Sequence, residues 1–251
     1  MTHMGGNLVK TIESSGKGQQ LFADGEYRYY LYRANAGETL DLSDFSSCSV
    51  YVNKLDSGAS VVLDGEQKIH QGDAIQGEKS SINLKITGGA AELLVAGLAQ
   101  DVGNGSTWSG TRVTPHASIK KVSKPWGHEL WINGEHPGYA FKQIYIKSGT
   151  KTSLQYHRKK RETNVLFEGK AALHFKSNEA VANDEVTGRD LTTSELSPVT
   201  SIDIWPNTLH RLEALTDVVL YEVSTPHLDD VIRISDDSGR THGRIESEHK
   251  K

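Results

Sequence analysis

A chain of 251 residues, 36% hydrophobic and 24% charged, has enough material for one large or two small domains with a sizeable core. Its net charge of −4 gives no electrostatic reason to expect nucleic acid or an anionic membrane as a partner. Cys48 is the only cysteine, which excludes a disulfide framework and a CxxC metal site and points to a reducing, cytoplasmic compartment.

The N-terminal Met1–Gly6 lacks a basic-then-apolar signal pattern. No run approaches the roughly 18–20 apolar residues of a membrane span; the greasiest, Ala90–Ala99, is short and interrupted by Glu92. Alternation of apolar and polar residues is common along the chain and helical periodicity is scarce. Val61–Ile69 and Gln71–Gln76 share a strand-and-turn rhythm with the stretch from Val165 to Leu173. Gly103–Gly110 is flexible and polar and reads as a linker; no Lys-Ser/Thr and no helix pattern follows it, so it is not a phosphate-binding loop. Phe141–Lys147, Ser201–Trp205 and Asp217–Val223 read as strands, rich in β-branched and aromatic residues and bounded by turn formers. The expectation is an all-β chain of sandwich or barrel type, dividing near residue 112 into halves 1–112 and 113–251.

The second half carries the chemistry. Gln155 and His157 are two apart, so on a strand both leave the same face, and Ser153 joins them. A turn through Arg158–Arg161 would bring Glu162 back on the next strand, and His210 would complete the set from a later one. Two imidazoles, a carboxylate and an amide oxygen suit one divalent ion, zinc first, with manganese, iron, cobalt or nickel as other occupants. The four cations Arg158, Lys159, Lys160 and Arg161 stand beside these donors, equally readable as a solvated turn and as a cluster that would attract a phosphate. The first half has no His-x-His, and His70 falls on a turn as a surface residue.

Gly149 to Gly169 fits the first cupin motif, G-x5-H-x-H-x4-E-x6-G, with Gln155 in place of the first histidine. Thr152–His157 resembles the corresponding segment of the phosphomannose isomerases, which make that replacement. Lys124-Pro-Trp-Gly127 resembles the segment that opens the isomerase cupin. Leu228–Arg233 followed by Gly239-Arg240 resembles the one that closes it in the type II enzymes. His210 stands before Arg-Leu-Glu as in the isomerases, although Trp205–His210 lacks a glycine and is one residue short.

The resemblance covers about residues 120–241. It implies a bicupin of two jelly-roll β-barrels, the first degenerate and without metal, with pairing as a homodimer among its expectations. It further implies a mannose-6-phosphate isomerase-like reaction through a cis-enediol, with a small sugar phosphate as partner. Arg240 and Lys142 would be catalytic; Ser153, Arg158, Lys159 and Lys124 would meet the substrate; Trp126 would belong to the core, and Asp229 and Asp230 would fix the path of the closing segment. The nucleotidyltransferase domain that precedes type II isomerase cupins has no counterpart, since the first half is too short and lacks a glycine-rich nucleotide signature. A cupin lyase or dioxygenase, or a non-catalytic sugar-binding module, are the alternatives on this fold.

Overall fold

The computed structural model describes residues 9–11, 19–23, 25–78, 81–100, 108, 110–176 and 188–249. Apart from Trp108 and Gly110, the Gly103–Gly110 linker lies outside the described residues, as does Met1–Gly6. Strands dominate as the alternation predicts, and α-helix among the described residues is limited to the single turn Glu246–His249. No helix is long and apolar enough to cross a membrane among the described residues.

The chain folds as two units, one of Met1–Ile12, Lys121–Trp131 and Lys142–Lys251, the other of Glu13–Lys120 and Ile132–Phe141. They interleave in sequence, because pairing places strands by register and not by chain position. Val9–Thr11 pairs with Thr200–Ile204, and Arg112–Thr114 pairs with Ala74–Glu78.

In the unit built mainly from the first half, a six-stranded sheet and a three-stranded sheet enclose one core. The greasy run Ala90–Ala99 becomes the strand Ala91–Leu98, hydrogen-bonded on both edges to Ser47–Leu55 and Arg28–Ala34. Its hydrophobicity is that of a central strand buried on both faces. Glu92, the charge within it, is held by the Arg33 guanidinium at 3.0 Å and the Asn53 amide at 2.6 Å. Cys48 is wholly buried here, and burial pushes its thiol pKa up to about 12.

In the other unit a seven-stranded sheet faces a five-stranded one. Their inner faces share a core that includes Ile144, Ile146, Leu166, Ile202 and Leu220 from the first and Leu173, Leu196 and Ala214 from the second. Trp126 is 7% exposed and belongs to this core, as its motif implies. The inward positions change character along each strand. Ile146 and Ile144 give way to Lys142, Leu166 to Asn164 and Glu162, Val218 and Leu220 to Glu222, and Ala214 and Leu212 to His210. Residues two apart share a face, so the interior is apolar at one end and ionic at the other. That gradient places the site.

Gly169, the last residue of the motif, has φ 86° at the turn between Glu162–Glu168 and Ala171–Lys176. A Cβ there would lie 2.0 Å from the Asp217 carbonyl oxygen. Gly149, with φ 75°, has open space around it. Gly169→Ala is therefore expected to destabilise by on the order of 3 kcal/mol, through steric clash added to backbone strain. Gly149→Ala should cost about 1–2 kcal/mol, from conformation alone. Urea unfolding of the two variants measures the difference, and equal effects would contradict the steric reading of Gly169.

Candidate metal centre

Parity on one short strand separates core from site. In Leu154–Tyr156, Leu154 and Tyr156 pack with Leu209 and Ile232 in an apolar cluster, while Ser153, Gln155 and His157 line the cavity. Gln155 is the direct register partner of His210 on Leu209–Ala214, which sets the two side chains next to each other. Glu162 opens the strand Glu162–Glu168, as the turn through Arg158–Arg161 predicts. His157, Glu162 and His210 are all buried, and their donor atoms lie within 4.8 Å of one another.

The hydrogen bonds fix the tautomers. His157 Nδ1 meets the Asp230 carbonyl, and His210 Nδ1 meets the Thr208 carbonyl at 2.9 Å. A carbonyl only accepts, so each Nδ1 carries the proton and each neutral ring turns the bare lone pair of Nε2 inward. Those lone pairs face a carboxylate: Nε2 of His157 is 3.6 Å from one Glu162 oxygen, and Nε2 of His210 is 3.3 Å from the other. Nε2 of His157 has no hydrogen-bond partner. Lone pairs turned on a buried carboxylate repel it, and a cation among them reverses the sign. Gln155 offers a fourth oxygen, held by the Ser153 hydroxyl, which donates to it at 2.6 Å. The donor set fits a first-row divalent ion.

Burial, the largest influence, lowers the His157 pKa to about 4 despite the opposing pull of Glu162. Burial works to raise the Glu162 pKa, but the charge of Lys160 holds it well below the usual carboxylate range. Lys160 is itself 5% exposed and donates to Glu162 at 2.6 Å and Glu222 at 2.8 Å. Burial disfavours its charge, yet those two carboxylates outweigh this and raise its pKa.

Of the cationic run, Arg158 and Lys159, expected to meet the substrate, are exposed on the turn and do not line the cavity. Asp230 explains why: its side-chain oxygen accepts from the backbone N–H of Lys159 and of Lys160, so the turn itself is clamped and its first two side chains face solvent. Asp230 thus fixes the closing segment with both its carbonyl and its carboxylate. Arg161 is structural, paired with Asp203 at 2.7 Å and lying over the Trp205 ring.

The cavity is about 120 Å³ and lies within this unit. Lys142, Lys124 and Arg240, all expected at the site, line it. Lys142 Nζ is 3.5 Å from Glu222 and sits over the Trp131 ring, while Arg240 is paired with Asp236 at 2.7 Å. The structure adds Lys160, Glu222, Glu129 and Arg233 to the lining. Glu222 was detectable: it continues the inward series Val218, Leu220 with a charge on an otherwise buried strand. Lys124, Lys142, Lys160, Arg233, Arg240 and Arg244 line the cavity with Glu129, Glu162 and Glu222, while Asp236 and Glu248 pair with Arg240 and Lys124, so the cations are close to balanced.

No family model matches the chain, and no curated protein matches it in sequence. Solved structures do match in shape. Oxalate decarboxylase of Lactobacillus farciminis, in a formate complex, superposes with a TM-score of 0.64 at 11% identity over 93% of this chain and 90% of its own. Oxalate decarboxylase of Bacillus subtilis, described with Mn(II) centres, gives 0.62 at 11% identity over 93% and 81%. HEPD of Streptomyces albus, with 2-hydroxyethylphosphonate and Fe(II) bound, gives 0.61 at 9% identity over 87% and 73%. The chain has the bicupin fold. Only one of its two cupin units brings together a possible ion-binding set of histidine and acidic side chains among the described residues, His157, Glu162 and His210.

Purified protein is expected to hold about one divalent ion per chain, and His157→Ala or Glu162→Gln to release it. Full retention in both variants, read by elemental analysis, would place the ion elsewhere. In metal-free protein, unfolded His157 takes up a proton below about pH 6.5, whereas the folded ring refuses it down to about pH 4. Stability should therefore fall as pH drops through that window, and less steeply in His157→Gln; identical slopes in urea unfolding from pH 7 to 4.5 would contradict the buried neutral ring.

Proposed function

We propose that this bicupin is a metal-dependent enzyme that interconverts an aldose and a ketose phosphate, most like mannose 6-phosphate and fructose 6-phosphate. One observation carries the reading. Lys124, Ser153, Gln155, His157, His210 and Arg240 come from separate segments that resemble the isomerases, and all line a single cavity. The lysines and arginines on the lining offer donors for a phosphate, and the buried ionic end suits a reaction that develops charge on oxygen.

A divalent ion held by Gln155, His157, Glu162 and His210 would act as a Lewis acid toward the carbonyl and hydroxyl oxygens of the substrate. The chain's own residues bind, orient and exclude water. In the cis-enediol route a base takes the C2 proton, the C2–H electron pair forms the C1–C2 double bond, and the carbonyl oxygen at C1 gains a proton. Return of a proton to C1 and loss of the O2 proton then leave the ketone. Lys142 donates to the oxygen that gains charge, oriented by Glu222 and the Trp131 face. Lys160 holds Glu162 and Glu222 in place through its two hydrogen bonds.

A metal-dependent lyase acting on a small carboxylate is the second reading. What favours it is the superposition on oxalate decarboxylase over nearly the whole chain, together with the small cavity.

Metal-loaded protein in D₂O with hexose and pentose phosphates separates the two. Deuterium is expected at C1 or C2, lost in His157→Ala, with the phosphorylated sugar preferred over the free sugar by about a hundredfold in kcat/KM. Because Arg158 and Lys159 lie outside the cavity, replacing both should leave that preference intact. No exchange with any aldose or ketose phosphate, with carbon dioxide released from a small dicarboxylate, would overturn the isomerase in favour of the lyase.

A further inference from the structure

Glu248 lies on the single helical turn Glu246–His249, and its carboxylate bridges two cations of the cavity. One oxygen accepts from Lys124 Nζ at 2.9 Å, and the other lies 3.5 Å from Arg240 Nη1. The Lys124 and Arg240 side chains are each 9% exposed and that of Glu248 is 12% exposed. Each cation also has a carboxylate of its own. Lys124 has Glu129 at 3.6 Å, itself held by the Trp131 N–H at 2.9 Å, and Arg240 has Asp236 at 2.7 Å. Glu248 is thus the partner that both share. Arg233 stands beside them on the cavity wall, giving one N–H to the Gly243 carbonyl while its buried Nε has no partner.

With Glu248 in place, three cations (Lys124, Arg233, Arg240) are matched by three carboxylates. Without it they carry one surplus positive charge and donor directions left without an acceptor. We propose that Lys124 and Arg240, with Arg233 beside them, form the anion seat of this cavity, and that Glu248 occupies it as an internal stand-in for the phosphate or carboxylate of the substrate. The inference rests on reading this cavity as the substrate's, and not on the isomerase reaction.

Displacement is cheap on the carboxylate's side. A lone helical turn is marginal by itself, Glu246 and Ser247 on it are exposed, and such segments open locally at low cost. A phosphate brings nearly two charges and three acceptor oxygens where Glu248 brings one charge and two, so it wins the donors once present. A tethered carboxylate competes at an effective concentration in the millimolar range, which weakens every anion that needs the same seat.

Inorganic phosphate is the probe, titrated calorimetrically into the full chain as purified, at low constant salt. Glu248→Gln and Glu248→Ala are expected to bind phosphate about tenfold more tightly than the parent chain. Adding Lys124→Met to Glu248→Gln should abolish the gain, which separates the seat from phosphate bound directly to a metal. Phosphate affinity unchanged or weakened in both Glu248 variants, or a gain that survives loss of Lys124, would overturn the proposal. Because no turnover is read, failure of the isomerase reaction would leave this result intact, and the converse also holds.

Discussion

The rest of the centre is organised around the buried carboxylate of Glu162. At 4% exposure it cannot rely on water, and an ionised carboxylate taken out of water costs several kcal/mol unless matched charges replace the hydration. Lys160 supplies one such charge, and Asn164 Nδ2 lies 3.4 Å from the second oxygen. The two imidazoles supply none, because their protons are committed to backbone carbonyls and only lone pairs remain on the inner side. The arrangement is self-consistent when a further positive charge sits among the three side chains. Lys160 and Lys142 already balance Glu162 and Glu222, so a divalent ion leaves the ionic end with two charges in excess. A dianionic substrate restores neutrality.

The fold makes this affordable by segregating the interior. Strands whose inward residues are isoleucine, leucine and valine at one end carry lysine, glutamate and histidine at the other, so the hydrophobic core stabilises the barrel while the ionic end is left to chemistry. The closing segment then seals the arrangement. Asp230 orients His157 through its carbonyl and shapes the cationic turn through its carboxylate, and the chain beyond it brings Arg233 and Arg240 to the cavity and Glu248 onto Lys124 and Arg240.

What the sequence made legible follows from local periodicity and fixed spacing. Parity alone put Ser153, Gln155 and His157 on one face, and the spacing of motif residues brought Glu162 and His210 to them, because a strand and a tight turn leave little geometric freedom. The direction of Arg158 and Lys159 was not legible, because adjacent cations on a turn differ in direction and the clamp that decides it, Asp230, is about seventy residues away. Lys160 is buried for the same non-local reason: its partner Glu222 arrives on a strand far along the chain. The interleaving of the units was equally out of reach, since Val9–Thr11 finds its register only against Thr200–Ile204. Glu248 carried no motif at all; its role exists only in its two distances.

X-ray absorption spectroscopy of protein loaded with zinc or cobalt probes the centre most directly. A first shell of nitrogen and oxygen at about 2.0–2.2 Å, with outer-shell scattering from two imidazoles, is the expected spectrum. It should lose one imidazole contribution in His210→Ala while the ion is still held. A spectrum without imidazole scattering, or one unchanged by His210→Ala, would contradict a metal centre built on His157, Glu162 and His210.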